Sequence, residues 1–343
     1  MASISKIITS ALAQLNPRQK EVVTARFGLE KGAEGETLAA IGDRLHVTRE
    51  RVRQIENGAV ALVRANISRD PEAGAALERI KKFIAGKGGV ARKADVAQFA
   101  ATIMNGVREA HLDFLAEATG MFNLYREDER YHPFYYVSDK DMKTAQTFVD
   151  HWVNFLKDRK DKVLGESYAV QLASFLKSKS AARAIAENYI GLSKQIHQNP
   201  YGDMGLRDWP EISPTTVRDK IYLVLKKKAE PLHFEDIAKH INRVGFDAQA
   251  ALAPTVHNEL IKDERFVLVG RGMYGLRENG YEPGTARQVI AKVLKRQGPM
   301  RPTDVVTRVN NERFFKPNTI LINLQNKSYF ERMPDGRYRV REA

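Results

Sequence analysis

Cysteine is absent from this chain of 343 residues. Its absence excludes disulfide bridges, a thiolate nucleophile and cysteine-ligated zinc, and it is compatible with a reducing compartment. Long apolar runs are absent too, since none approaches the ~20 residues of a membrane-spanning helix. The N-terminus also lacks the basic and then apolar order of a signal peptide. We therefore expect a soluble, cytoplasmic protein.

The sequence also lacks the motifs of common catalytic and cofactor sites. It has no G-x-S-x-G, Walker or G-x-G-x-x-G element, and its eight histidines are scattered without a metal-binding spacing to a carboxylate. His233, beside Phe234, is more typical of a buried contact than of a general base. We expect no enzymatic activity, no metal and no cofactor.

Positive charge, in contrast, is abundant. The 55 Lys and Arg residues exceed the 42 Asp and Glu residues, which gives a formal net charge of +13 and a sequence pI near 9.7. This balance favours a nucleic-acid partner, but ribosomal and membrane-surface proteins share it. A DNA-binding motif is therefore needed to choose between these classes.

Residues 37–56 have the pattern of two short helices joined by a tight turn. Thr37 and Thr48 occupy N-cap positions, and Gly42 leaves room for the sharp angle between the helices. Apolar residues then recur at three- and four-residue spacing, which predicts a buried stripe on the second helix. They are Val52, Ile55, Ala59 and Leu62. Because glycine costs a helix roughly 1 kcal/mol relative to alanine, we expect a bend, an early end or close packing at Gly58.

The other face of this second helix is polar. Arg49 and Arg53 lie one turn apart near its N-terminus, with Glu50 and Gln54 beside them. Arginine matches guanine acceptors in the major groove, glutamine pairs with adenine, and glutamate accepts from the cytosine amino group. Arg51 lies at the side and is better placed for phosphate. A charged solvent face is the alternative for an isolated helix, but turn, caps and apolar stripe together favour DNA binding.

These residues resemble region 4 of the primary bacterial sigma factors. The resemblance runs in order through about residues 12–66 and is carried by residues 15–19, 26–29, 37–42 and 47–56. It implies binding to the promoter −35 element and docking on the flap of the RNA polymerase β subunit. The implied base-reading residues are Arg49, Glu50, Arg53 and Gln54. The implied contacts to the DNA backbone come from Arg18, Arg26, Thr37, Thr48 and Arg51.

Two departures from that family limit the resemblance. Ala39 and Ala40 stand where the family has acidic residues, and residues 57–63 replace its basic run, so fewer phosphate contacts should follow. Only a short amphipathic segment, residues 4–12, precedes the module. It offers nothing like the aromatic-rich region with which a complete sigma factor melts the −10 element. We therefore expect that this chain does not open promoters by itself.

One structural pattern occurs twice in the last part of the chain. Residues 214–280 and 281–343 each contain a helix, a second helix entered through proline, and two strands with a glycine-containing turn. We interpret both as winged-helix units. Residues 214–278 resemble the HARE winged-helix family, which includes the N-terminal domain of the RNA polymerase delta subunit and implies a DNA-binding or protein-docking adaptor. The motifs that carry this resemblance are residues 218–221, 225, 231–238 and 266–275.

The last strand pair of the chain is rich in arginine. The alternation along the strand places several guanidinium groups on one solvent side, where Arg337 and Arg339 are candidates for phosphate contacts. The alternative is a solvated edge that blocks strand pairing.

The middle of the chain supports the same architecture. Residues 71–138 fit a divergent winged helix with an acidic loop, which argues against DNA binding there, and residues 139–198 are helical in period. Aromatic residues at helical spacing, such as Trp152, predict a core face. The expected fold is mainly α, with a helix-turn-helix module, tandem winged helices and a helical middle segment. The predicted domains are 1–70 (helix-turn-helix), 71–138 (divergent winged helix), 139–213 (helical connector), 214–280 (HARE-like winged helix) and 281–343 (second C-terminal winged helix).

Three functions stay open at this point. The first, which we favour, is a nucleoid-associated transcription factor that binds double-stranded promoter DNA and contacts the RNA polymerase core through the β flap. The second is a free-standing repressor or nucleoid protein that never contacts polymerase. The third is a protein-docking adaptor built from winged helices. The sequence leaves the oligomeric state and the target site open.

Overall fold

The computed structural model describes residues 2–30, 32–165, 167–177, 182–281, 283–312 and 315–341. Within these ranges the chain forms 17 α-helices and a few small two- and three-stranded sheets. Two compact units are present: Met1–His197 with Met204–Arg207, and Gln198–Asp203 with Asp208–Ala343. Among the described helices, none combines the length and apolarity needed to cross a lipid bilayer. The predicted mainly α fold is confirmed.

The first unit begins with the predicted helix-turn-helix. Its elements are β1 (Ala2–Ser3), α1 (Ile4–Leu12), α2 (Pro17–Phe27), α3 (Leu38–Arg44) and α4 (Arg49–Ser68). A capping box starts α2, because the Asn16 side chain accepts from the Gln19 amide and the Gln19 side chain accepts from the Asn16 amide. Gly28 ends the helix in the left-handed conformation. Local sequence signals therefore set the boundaries of this module.

Helix α4 differs from the prediction in two respects. It runs unbroken through Gly58, where an added Cβ would meet no atom within 4 Å, so the expected early end and close packing are wrong. Leu62, expected in the buried stripe, is 39% exposed, and Val63 is buried in its place. A step of four residues from Ala59 keeps Val63 on the buried face, and packing over the second half of α4 outweighs the glycine.

A winged-helix arrangement follows in the same unit. Its elements are α5 (Pro71–Gly86), β2 (Val90–Arg92), α6 (Lys93–Ile103), β3 (Met104–Asn105), α7 (Glu109–Thr119), β4 (Asn123–Tyr125) and β5 (Phe134–Tyr136). The sheet order is β2-β5-β4, and Tyr135 of the central strand pairs with Ala91 on one side and Leu124 on the other. One hydrophobic core contains buried residues from α1 and α4 as well as from α5 to α7. It therefore crosses the boundary predicted at residue 70, and the five-domain division stays a prediction.

A helical segment follows the winged helix, as predicted. Its elements are α8 (Asp139–Lys157), α9 (Lys160–Gly165), α10 (Tyr168–Lys177), α11 (Arg183–Gly191), β6 (Ile196–Gln198) and β7 (Met204–Leu206). Trp152 is fully buried, and its indole donates to the Tyr168 hydroxyl at 2.9 Å. Its ring lies 5.0 Å from that of Phe175. The predicted aromatic stripe is therefore part of a core.

The second unit contains two further winged helices, each with its own core. The first consists of α12 (Val217–Lys228), β8 (Leu232–His233), α13 (Phe234–Val244), α14 (Ala253–Lys262), β9 (Phe266–Gly270) and β10 (Met273–Leu276). The second consists of α15 (Ala286–Gln297), α16 (Pro302–Glu312), α17 (Pro317–Leu324), β11 (Phe330–Arg332) and β12 (Tyr338–Val340). Helix α14 was not predicted from the sequence. It completes the three-helix pattern that α15, α16 and α17 repeat.

Candidate nucleic-acid interface

The turn between α3 and α4 fixes the direction of the candidate DNA-binding helix. Thr37 Oγ1 accepts from the Ala40 amide at 3.1 Å, and Thr48 Oγ1 accepts from the Arg51 amide at 3.2 Å. Both threonines are therefore N-caps, as predicted. A Cβ on Gly42 would lie 2.7 Å from the carbonyl oxygen of Val47, so the turn requires glycine at this position.

A small core anchors the first half of α4 from behind. Val22, Ile41 and Val52 are each fully buried, and they join α2, α3 and α4. Side chains on the opposite side of α4 then point into solvent, because the buried stripe uses only one face of the helix. The exposed and the buried residues of α4 lie on these two opposite faces.

The predicted base-reading residues share the exposed face. Arg49, Glu50, Arg53 and Gln54 are all exposed. Arg53 donates from Nε and Nη2 to the two carboxylate oxygens of Glu50, at 2.8 and 2.7 Å. Arg51 Nη1 donates to Gln54 Oε1 at 3.1 Å. Hydrogen-bond donors and acceptors therefore lie side by side over the first two turns of the helix.

Charge stabilises the ionised form of both members of the Glu50–Arg53 pair. The hydrogen bond from Arg53 lowers the pKa of Glu50 below its usual value, and the hydrogen bond to Glu50 raises the pKa of Arg53. Both side chains are more than half exposed, so the pair adds little to stability. Such a pair is free to exchange its internal hydrogen bonds for base edges, with Arg53 on guanine and Glu50 on a cytosine amino group.

The predicted backbone contacts divide into two groups. Arg18 and Arg51 are exposed, and the caps Thr37 and Thr48 lie at helix N-termini, where backbone amides and dipole favour phosphate. Arg26 is different, because its Nη1 donates to the Glu36 carbonyl at 2.9 Å and its Nε lies 3.2 Å from Glu56. These contacts hold its guanidinium group against the rest of the module. Its contact with the DNA backbone stays a prediction.

Both wing arginines lie beside carboxylates. Arg337 pairs with Asp335 at 2.6 Å, and Arg339 pairs with Glu331 at 2.8 Å. All four side chains are between 44% and 54% exposed. The positive charge of both arginines is therefore partly neutralised by these carboxylates, and their contacts with phosphate stay a prediction.

The second half of α4 has a role that the sequence did not reveal. Its Arg64 Nε donates to the Ala118 carbonyl of α7 at 2.7 Å, and Arg108 Nη2 donates to the Leu29 carbonyl at 2.7 Å. The rings of Phe27 and Phe114 meet edge to face at 5.3 Å. This chain therefore covers the apolar back of its own helix-turn-helix. The available signal was the apolar spacing that continues past Ala59 to Ile67 in the sequence.

Residues 11–65 match the family described as Sigma-70, region 4, and we call this segment the sigma-region-4-like module. Its capped helices and the exposed face of α4 fit a DNA-binding helix-turn-helix. Within the described residues, no group of three or more His, Cys, Asp or Glu side chains is placed to hold a metal ion.

Sigma factors of known name match between 53 and 58 residues of the chain. The RNA polymerase sigma factor RpoD of Helicobacter pylori is 52% identical over 58 residues, which are 17% of this chain and 9% of that protein. The RNA polymerase sigma-B factor of Nostoc sp. is 51% identical over 57 residues, 17% of each chain. The sigma factor RpoS of Coxiella burnetii is 51% identical over 53 residues, 16% of this chain and 15% of that protein. The similarity is thus confined to a small part of each protein.

Proposed function

We propose that this protein is a sequence-specific DNA-binding transcription factor that binds −35-type promoter DNA through α4 and associates with RNA polymerase. The observation that carries the proposal is the exposed donor and acceptor face of Arg49, Glu50, Arg53 and Gln54. That face lies within residues 11–65, which match the Sigma-70, region 4 family, and the chain is 52% identical over 58 residues to an RNA polymerase sigma factor. Both similarities support a similar nucleic-acid target.

In this proposal each side chain has a distinct partner. Arg49 and Arg53 donate to guanine O6 and N7, Gln54 pairs with adenine, and Glu50 accepts from a cytosine amino group. Arg51 and Arg18, with the helix N-termini that Thr37 and Thr48 cap, contact phosphates and set the register on the duplex. The winged helix of residues 214–280, which resembles the HARE family, adds a DNA or protein contact.

Polymerase association is proposed through the β flap, by analogy with the sigma factors that this segment resembles. Such a contact has to use the surface that α1 and α7 leave exposed, because Ala59, Val63 and Ile67 are buried within this chain. Leu62, at 39% exposure, is an apolar residue of α4 still open to a partner.

The covered back of the module favours a second candidate function. A DNA-binding protein that acts alone needs its apolar surfaces covered by its own chain, and α7 provides that cover here. This candidate is a free-standing repressor or nucleoid protein that binds DNA without polymerase.

Two measurements on the full chain test both candidates. Selection of binding sites from a random duplex pool should return one short consensus, and Arg49→Ala with Arg53→Ala should abolish the enrichment. Arg69→Ala, an exposed arginine at the other end of α4, is the control and should keep the consensus. A pool with no consensus would contradict sequence-specific binding. Pull-down with the isolated β flap at low salt then separates the candidates, since failure to bind would leave the free-standing protein.

A further inference from the structure

The two winged helices of the second unit differ sharply in charge. Residues 214–280 contain 11 Lys and Arg against 9 Asp and Glu, a net charge of +2. Residues 281–343 contain 13 against 6, a net charge of +7. More than half of the chain's formal charge of +13 therefore lies in its last winged helix. The two units share one architecture, so the fold does not explain the difference in net charge. The extra positive charge of residues 281–343 therefore indicates a negatively charged partner.

Part of this charge is concentrated around one exposed aromatic ring. Arg287 of α15 lies 5.0 Å from the ring centre of Tyr329, which is 49% exposed. Arg341 Nη1 donates to the carbonyl of Lys327 at 2.9 Å, which brings these two residues together beside Tyr329. All three cations are exposed, and the ion pairs of the described residues include none of them. We name Arg287, Lys327, Tyr329 and Arg341 the Tyr329 cluster.

Helix α17 presents an uncharged face next to this cluster in sequence. Asn318, Ile322 and Gln325 are exposed at positions that share one side of a helix, and Ile322 is 69% exposed. Amide side chains pair with adenine edges, and an aliphatic side chain contacts the thymine methyl group. Lys316 precedes the helix, and Lys327 follows it. A helix of eight residues is about 12 Å long, close to the width of the major groove.

We propose that this surface is a second binding site for duplex DNA. Phosphates lie on Lys316 and on the cations of the Tyr329 cluster, and base edges face Asn318, Ile322 and Gln325. Among the described residues no carboxylate forms an ion pair with these cations, so they are available to displace counterions from DNA, which is the main source of affinity in such complexes. The site is independent of the sigma-region-4-like module, since it uses none of its residues.

The neighbouring winged helix supplies a natural comparison. Its α14 also presents an uncharged exposed face, with Thr255 and Asn258. The cations around α14 are neutralised, however, because Glu259 pairs with Arg218 at 2.8 Å and with Lys262 at 3.4 Å. Arg265 likewise pairs with Asp263 at 2.7 Å. These three cations beside α14 are thus already paired, which makes this unit a control within the same chain.

The test uses the full chain with Arg49→Ala and Arg53→Ala, so that the sigma-region-4-like module contributes little. Binding to a random-sequence duplex is followed by fluorescence anisotropy from 50 to 200 mM salt. The added changes Arg287→Gln, Lys327→Gln and Arg341→Gln should reduce the slope of log K against log salt by about 2.7. When the salt concentration rises fourfold, the binding constant of the triple variant should therefore fall by a factor about 40 times smaller than that of its parent.

A triple variant of equal charge provides the matched control. Lys239→Gln, Lys262→Gln and Arg265→Gln change exposed cations of the other winged helix that already pair with carboxylates, and they should leave the slope unchanged. If both triple variants reduced the slope equally, the effect would come from net charge alone, and the proposal would be overturned. The proposal would also be overturned if the parent protein did not bind the duplex. The same holds if the triple change weakened binding only to a single-stranded oligonucleotide. Thermal unfolding of both triples, expected to match the parent, excludes misfolding as the cause.

A second pair of changes tests the helix face. Asn318→Ala with Gln325→Ala should lower the preference among duplex sequences and leave the salt slope unchanged, because these side chains carry no charge. An unchanged preference would overturn the assignment of base edges to α17.

Discussion

The two halves of helix α4 differ in exposure, and in the proposed function they divide binding and stability between them. From Arg49 to Gln54 the helix exposes five polar side chains and buries Val52 alone in a small local core. From Ala59 to Ile67 it contributes three buried apolar residues to a large core that also includes α1 and α7. One continuous helix therefore connects the exposed end to the body of the first unit. Changes in the two halves should affect different measurements.

The largest effect on stability is expected in the buried half. Ile67→Ala removes a side chain that is 4% exposed and should lower the free energy of unfolding by about 2–5 kcal/mol. Leu62→Ala is the matched control on the same helix, since Leu62 is 39% exposed, and it should cost less than about 1 kcal/mol. Urea denaturation measures both. Equal losses would contradict the division of α4 into two halves.

The next effect concerns binding rather than stability. Arg49→Ala and Arg53→Ala should each weaken binding to the selected duplex by about 1–3 kcal/mol, because each removes a base contact. The same variants should unfold within about 0.5 kcal/mol of the parent protein, since both side chains are exposed. Fluorescence titration and denaturation together test this. If either variant lost stability and binding together, the two halves of α4 would not divide these functions between them.

A smaller effect is expected at the cap that begins the exposed half. Thr48→Ala removes the acceptor for the Arg51 amide and should cost about 1 kcal/mol of unfolding free energy. Thr48→Ser keeps the hydroxyl and is the control. If both substitutions behave alike, the hydroxyl does not cap α4.

The smallest effect is a gain where the two halves meet. Gly58→Ala should raise the unfolding free energy by up to about 1 kcal/mol, because the glycine is helical, exposed and without neighbours within 4 Å. Gly42→Ala is the opposite case. Its Cβ would approach the Val47 carbonyl at 2.7 Å, so it should destabilise by about 1–3 kcal/mol. A loss at Gly58 would indicate that the helix needs a flexible point there.

Several features of the candidate site were predictable because they depend on short-range signals. Thr37 and Thr48 cap their helices as the sequence indicated. The exposure of Arg49 and Arg53 follows from the helical period once Val52 is assigned to the buried face. Resemblance to sigma region 4 added the expected roles at DNA, and these roles stay predictions for experiment.

Other features depend on residues far apart in the chain. The hydrogen bond of Arg26 depends on the carbonyl of Glu36, and that of Arg64 depends on a carbonyl 54 residues away. The ion pairs of Arg337 and Arg339 are formed with residues nearby in the chain, but they depend on side-chain conformations that alternation along a strand does not determine. The sequence pattern therefore showed where charge lies but not which charges are already paired.

The sequence by itself determined the helix-turn-helix, its caps and the polar face of α4, since each depends on contacts within about one or two helical turns. Tertiary structure alone decided that α7 covers the back of this module, that Val63 rather than Leu62 is buried, and that one core crosses residue 70. The physical reason is that burial is a property of two packed surfaces, and a single stretch of sequence describes only one of them.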